Sequence, residues 1–326
     1  MAAIAVSIVP FIVAALTVGW LARSRVSRLV LDEPNARSLH AVPVPRTGGI
    51  GLLLGIAAGW TIIPPHLPWA FWAALALLIA VSLLDDLHGL SATVRFAAHL
   101  LAAAWAAWTL PGMQESLLLL AVAVIAIGWM GNLYNFMDGS DGLAGGMAVI
   151  GFGTYAAAAW CAGSAQFALL NMAIALAAGG FLLHNFHPAR IFMGDAGAVT
   201  LGFMAAVFGL AGWLQHDWTW WFPLLVFSPF IVDASVTLAR RLLSGARVWE
   251  AHRDHYYQRL VLLGLGHRGT ALAEYALMAG CAAIALWAMT LTVETQYLVL
   301  GAVAALYATL IALIERAWRA HGVANA

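Results

Sequence analysis

The sequence predicts an all-α polytopic membrane protein of about eleven transmembrane helices, and three observations predict it. Of 326 residues, 63% are hydrophobic and only 9% charged, where an ordinary soluble domain carries roughly a quarter. Apolar runs close to the ~20 residues that cross a bilayer recur along the whole chain. The 15 basic residues, every one an arginine, all fall on the same side of those runs. A mean hydropathy of +0.88 excludes disorder and argues against a soluble globular enzyme. The 15 acids balance the arginines, so no net basic field exists to hold nucleic acid.

Taken in order, the expected spans are 3–22, 49–64, 68–84, 93–110, 116–134, 143–162, 166–184, 198–215, 219–238, 270–291 and 296–314. The first has no basic residues before it and an arginine cluster after it, so it reads as an uncleaved anchor with the N-terminus outside. Arg23, Arg25, Arg28, Arg37 and Arg46 follow the first span and Arg95 follows the third. Arg190 follows the seventh, six arginines follow the ninth, and Arg316 and Arg319 follow the last. Under the positive-inside rule that side is the cytoplasm, and the C-terminus lies there too. Cys161 and Cys281 lie inside apolar stretches and read as small core residues, with neither a disulfide framework nor a CxxC site. No repeat or linker interrupts the chain, so 1–326 reads as one domain.

The outer connections are three to five residues long, so the chemistry belongs to the cytoplasmic segments, and an active site is expected at that face. The first segment carries Asp32-Glu33-Pro34-Asn35-Ala36-Arg37-Ser38-Leu39-His40, then Pro43, Pro45, Arg46 and Gly48-Gly49. Prolines extend the path and paired glycines permit close backbone approach; alone, the segment reads equally as a basic loop on anionic headgroups. Asp85-Asp86 closes the third span. Adjacent carboxylates at a membrane boundary repel and lose hydration, which calls for a cation, and oxygen ligands beside phosphate suit Mg²⁺. The plain alternative is a solvated helix end.

After the fifth span, Asn135, Asp138 and Asp141 recur every three residues within Asn135-Phe136-Met137-Asp138-Gly139-Ser140-Asp141-Gly142. A helical turn would align them on one side, and the glycines leave backbone N–H groups for a phosphate. The spacing and terminal Glu of a calcium loop are absent. After the seventh span, Asn185, Phe192 and Asp195 precede an apolar helix; Asp195 reads as an N-cap and Phe192 as a stacking face. The longest loop holds His252, Arg253, His255 and Arg259, a set suited to pyrophosphate or to an interfacial helix on anionic lipid. Asp233, inside the ninth run, is a secondary candidate that pairs with Arg240 or Arg241 in its bland reading.

In this order, Asp85-Asp86, the Asn135–Gly142 stretch and Phe192-Met193-Gly194-Asp195 resemble the polyprenyl-phosphate N-acetylhexosamine-1-phosphate transferases. That superfamily includes bacterial enzymes starting O-antigen, enterobacterial common antigen and teichoic acid linkage units, and the phospho-MurNAc-pentapeptide transferase of peptidoglycan. The resemblance runs from Asp32 to about His267. It implies that a UDP-N-acetylhexosamine and undecaprenyl phosphate give undecaprenyl-pyrophosphoryl-sugar and UMP, with Mg²⁺ as cofactor and Mn²⁺ as its substitute. It makes Asp195 a metal ligand, with Asp85 either a second metal ligand or acting on the acceptor phosphate and Asp86 the other candidate for general base, so that Asp85, Asp86 and Asp195 form the catalytic set. Asn135, Asp138 and Asp141 would line the nucleotide-sugar pocket, Asn185 and Phe192 would hold the uracil, and His252, Arg253, His255 and Arg259 would meet the pyrophosphate. A homodimer is a candidate assembly.

Two departures stand out. His255-Tyr256-Tyr257-Gln258 replaces the His-x-His-His of many relatives, and the Ala251-His252-Arg253 context looks like a branch starting O-antigen on 6-deoxy sugars. Ser38 stands where many relatives carry Lys, leaving Arg37, His40 or Arg46 to supply that charge. The rival class is a membrane transporter or ion-coupled carrier, which would place its acids near the midplane between repeats; here they crowd at helix ends.

Overall fold

The computed structural model describes residues 2–25, 30–34, 38–40, 42–246 and 252–324. The apolar runs fold as helices: α1 (Ala2–Leu21), α2 (Gly48–Ile62), α3 (Trp69–His88), α4 (Ala92–Trp108), α5 (Leu117–Phe136), α6 (Leu143–Cys161) and α7 (Ala165–Asn185). They continue as α8 (Asp195–Leu214), α9 (Phe222–Val226), α10 (Ser228–Leu243), α11 (Tyr256–Leu260), α12 (Gly266–Ala288) and α13 (Val293–Ala324). A two-residue ribbon, β1 (Leu31–Asp32) antiparallel to β2 (Val44–Pro45), lies between α1 and α2.

Helix covers each of the eleven expected spans, but among the described residues seven helical stretches are long and apolar enough to cross a membrane. At 1.5 Å per residue α2, α4 and α10 reach only about 22–26 Å, short of the ~30 Å hydrocarbon core. The ninth expected span is not continuous. It breaks at Phe227 into α9 and α10, each of which has a proline as its second residue, Pro223 or Pro229, because a ring without an N–H is accepted in a first turn and not mid-helix. The tenth begins earlier than expected, running on from α11 through a π turn at Val261–Leu265.

Small residues bring the helices together. A Cβ on Gly55 would sit 2.7 Å from the Pro10 carbonyl oxygen, and one on Gly180 would sit 2.3 Å from that of Phe11. Backbones thus meet directly where α1 crosses α2 and α7, the usual route to tight packing in lipid. Tyr155, Phe167, Phe208, Trp218 and Phe222 form a ring-on-ring core toward the end of the bundle where α6 stops and α7 starts. Cys281 is buried there against Ser228 and Tyr307, whereas Cys161 is exposed and so is no core residue.

Candidate active site

At the opposite end of the bundle, α3 stops where Gly89 takes a left-handed conformation (φ +66°) and its N–H returns to the Asp85 carbonyl at 2.8 Å. That stop leaves Asp85 and Asp86 on the last turn. Asp85 Oδ1 accepts the Leu90 N–H at 2.6 Å and Oδ2 accepts Arg95 Nη1 at 2.8 Å. The same guanidinium nitrogen lies 3.8 Å from Asp195 Oδ2, and the Asp195 carboxyl is within hydrogen-bond reach of Asp85. Asp86 faces Arg46, whose Nε is 3.3 Å from Oδ1. Asp195 is the first residue of α8, with Gly194 as its cap, so it is not the N-cap that its position before the helix suggests.

Asn135, Asp138 and Asp141 do not share one helical face. Helix α5 ends at Phe136, and Gly142 (φ +77°) starts α6, so the repeat of three falls in a loop that splits the acids. Burial, and then the carboxylates of Asp195, Asp32 and Asp86, push the Asp138 carboxyl well above the usual carboxylate range, opposed in part by the Gly194 N–H. Asp141 turns the other way, accepting His187 Nδ1 at 2.6 Å and the Ala189 N–H at 3.1 Å on one oxygen. Asn185 spends both amide ends on backbone, accepting Gly142 N–H and donating to the Ile191 carbonyl, each at 3.0 Å. It ties the start of α6 to the segment before α8. Asn135 is half-buried beside them.

The first segment docks on this group through backbone. The Phe192 N–H donates to the Pro45 carbonyl at 2.7 Å, and the Gly48 and Gly49 N–H groups donate to the carbonyls of Phe192 and Met193 at 2.9 and 2.8 Å. A Cβ on either glycine would come within 2.7 Å of those carbonyl oxygens, which is the close approach that paired glycines permit. His40 meets Phe192 edge-on with ring centres 5.0 Å apart, and its Nε2 lies 3.2 Å from the Asp32 carbonyl oxygen. Arg37 lies outside the described residues.

The long loop divides. His255 is buried, with Nδ1 3.1 Å from Asp233 Oδ1, and the N–H groups of Tyr256 and Tyr257 donate to the same carboxylate at 3.0 and 2.9 Å. Asp233 therefore anchors the start of α11 and pairs with neither Arg240 nor Arg241, because those reach Glu315 and Asp254 instead. His252 stacks on His255 at 5.0 Å, and Arg253 is half-buried next to it. Arg259 points away from the acids: its Nη1 donates to Glu315 at 2.7 Å and its guanidinium lies over the Tyr256 and Trp318 rings. Tyr257 ties this loop to the acid loop, donating its hydroxyl to the Phe136 carbonyl at 3.0 Å.

Among the described residues no three His, Cys, Asp or Glu side chains already converge on an ion position. The chemistry still fits a hard dication. Asp85 and Asp195 share one arginine, and Asp86 Oδ1 is buried without a hydrogen-bond partner. Two or three carboxylate oxygens with phosphate and water completing the shell is the usual Mg²⁺ arrangement. Residues that sequence reasoning passed over as site members are Arg95, Asp32, His187, His267 and Tyr257. No local pattern marks them, since each meets the acids only across helices.

The family model described as glycosyl transferase family 4 matches residues 68–212, which spans α3 to α8 and the three acidic motifs. The chain is 31% identical over 291 residues to the probable undecaprenyl-phosphate N-acetylglucosaminyl 1-phosphate transferase of Bacillus subtilis, covering 82% of this chain and 81% of that one. It is 31% identical over 308 residues to the decaprenyl-phosphate N-acetylglucosaminephosphotransferase of Mycobacterium tuberculosis, covering 78% and 74%. It is 27% identical over 292 residues to the phospho-N-acetylmuramoyl-pentapeptide-transferase of Geobacillus kaustophilus, covering 79% and 89%. With such relatives matched over most of their length, the chain belongs to the polyprenyl-phosphate N-acetylhexosamine-1-phosphate transferase family, whose members pass a sugar phosphate to a polyprenyl phosphate in building the cell envelope.

Proposed function

We propose that the protein transfers an N-acetylhexosamine-1-phosphate from a UDP-sugar to undecaprenyl phosphate at the cytoplasmic face of a bacterial inner membrane, releasing UMP and using Mg²⁺. The observation that carries this reading is the gathering of Asp85, Asp86, Asp138 and Asp195 with Arg46 and Arg95 at one end of the bundle. Relatives named for N-acetylglucosamine transfer make UDP-N-acetylglucosamine the first donor to test. The His252-Arg253 context, which resembles the branch that starts O-antigen on 6-deoxy sugars, adds 6-deoxy donors to the test.

In the proposed step an oxygen of the acceptor phosphate bonds to the β-phosphorus of the donor. The bond from that phosphorus to the α–β bridging oxygen breaks, and UMP leaves with the electron pair. Phosphoryl transfer of this kind depends on positioning and charge neutralisation. Asp195 and Asp85 would hold Mg²⁺, which supplies positive charge against the phosphates. Asp86, with Arg46 beside it, orients the acceptor phosphate and takes a proton if that oxygen carries one. Asn135, Asp138 and Asp141 line the donor pocket, Phe192 with His40 offers a face for uracil, and His252, His255 and Arg253 meet the pyrophosphate.

The test is a donor panel with purified protein, undecaprenyl phosphate and Mg²⁺, following UMP release. UDP-N-acetylglucosamine, UDP-N-acetylgalactosamine and their 6-deoxy relatives are compared. Release with one donor, lost with EDTA and cut on the order of a hundredfold in Asp195→Asn, supports the reading. No release from any of them in folded protein removes it, and full activity in Asp195→Asn removes the assigned metal site.

A further inference from the structure

We infer that His267 is a positioning residue of the donor-nucleotide pocket, pinning the first loop to the acid loop from the start of α12. The inference rests on the uridine-nucleotide reading above. His267 lies more than a hundred residues from both loops, and its partners specify how its ring is used. Ser140 Oγ is 2.9 Å from Nδ1, and the Asp141 N–H points at the same nitrogen at 3.4 Å. A backbone N–H can only donate, so Nδ1 presents a lone pair. On the other side Nε2 is 3.2 Å from the Leu39 carbonyl, which can only accept, so Nε2 carries the hydrogen. One tautomer satisfies both sides.

What the ring joins matters more than the bonds themselves. Leu39 precedes His40, whose ring packs on Phe192 at 5.0 Å. Ser140 precedes Asp141, whose other face is held by His187, and the His187 and His267 rings stack at 5.6 Å and 8°. His267 thus joins the Leu39–His40 segment to the Ser140–Asp141 segment, and no other side chain among the described residues bonds to both Leu39 and Asp141. Ser140, Asp141 and Leu39 all belong to pocket segments, whereas a merely structural histidine would bond to the bundle.

The experiment compares wild type with His267→Asn, His267→Gln and His267→Ala. Asn keeps an acceptor near the Nδ1 position, and Gln keeps a donor near Nε2, so each retains one half of the bridge. Calorimetric binding of UMP gives a readout independent of turnover, alongside KM and kcat for UDP-N-acetylglucosamine and KM for undecaprenyl phosphate. Losing one pocket hydrogen bond raises UMP Kd and donor KM about tenfold in Asn and Gln and further in Ala, with kcat within about threefold and acceptor KM unchanged. Wild-type UMP affinity in all three variants overturns the inference. So does a loss in kcat with donor KM unchanged, or a rise in acceptor KM matched by a falling thermal midpoint, which marks general damage. Wild type that binds no UMP overturns the nucleotide reading and this inference together, whereas failure of the variants alone leaves that reading standing.

Discussion

Gly194 carries more of the site than its size suggests. Its φ of +73° is open to glycine, its N–H meets Asp138, and a Cβ there would fall 2.2 Å from the Arg46 carbonyl oxygen and 3.3 Å from Asp86 Oδ2. Gly194→Ala should therefore cost about 1–3 kcal/mol of backbone strain and move Arg46 and Asp86 together. The expected result is a lower thermal midpoint in detergent and at least a tenfold loss of UMP release, on the scale of one displaced contact in a phosphoryl-transfer site. His252 gives a second residue-scale test. Burial, then His255 and Arg241, lower its pKa from 6.5 to about 4. The unfolded chain takes up this proton more readily, so the stability involved is whole above pH 6.5, declines as pH falls below it, and is gone below about pH 4. The thermal midpoint should fall over that window, and His252→Gln should flatten the fall.

At the scale of elements, α13 is an apolar helix with only 11% of its membrane-length window buried, so a few polar anchors hold it. Tyr307 shares a hydroxyl contact with Ser228 at 2.7 Å, Gln296 accepts Trp221 Nε1 at 3.1 Å, and Glu315 takes both Arg240 and Arg259. Glu315 is the consequential one. Arg259 is buried, its Nε has no partner, and it sits on α11 beside the His255 loop. Removing its carboxylate strands a buried cation, which costs about 3 kcal/mol. Glu315→Ala should unfold at distinctly lower temperature than wild type, with Glu315→Gln between them because an amide still accepts a hydrogen bond. Equal midpoints for all three would show that the pair is solvent-screened.

For the whole molecule, the acids occupy one end and the short turns with exposed Cys161 occupy the other. The arginine distribution predicts that the first end faces the cytoplasm. An impermeant maleimide added to intact spheroplasts should label Cys161 in the wild-type chain. It should spare a Ser91→Cys, Cys161→Ser variant until the membrane is opened. Labelling in the reverse order would invert the orientation and move the site outside, away from a cytoplasmic nucleotide donor.

Composition and run length alone determined that this is a helical membrane protein, because apolar runs of span length have no other soluble or disordered form. The motifs were legible too: Asp85-Asp86, Asp138 and Asp195 meet because each sits where a helix starts or stops at the same end. Among the described residues seven stretches reach span length beside the eleven expected runs, and run length alone registers neither the break at Phe227 nor the shortness of α2, α4 and α10. Side-chain partners lay further out of reach. Arg259 read as a phosphate ligand and is held by Glu315, 56 residues on; Asp233 read as a partner of nearby arginines and caps α11 instead. The unremarkable His187 and His267 close on Asp141 from the loop after α7 and from the start of α12. A spacing of residues reports which face of one helix they share, but in a bundle a charged group is satisfied by whatever another helix brings within 3 Å. That pairing is a property of how the helices cross, and only the tertiary structure decides it.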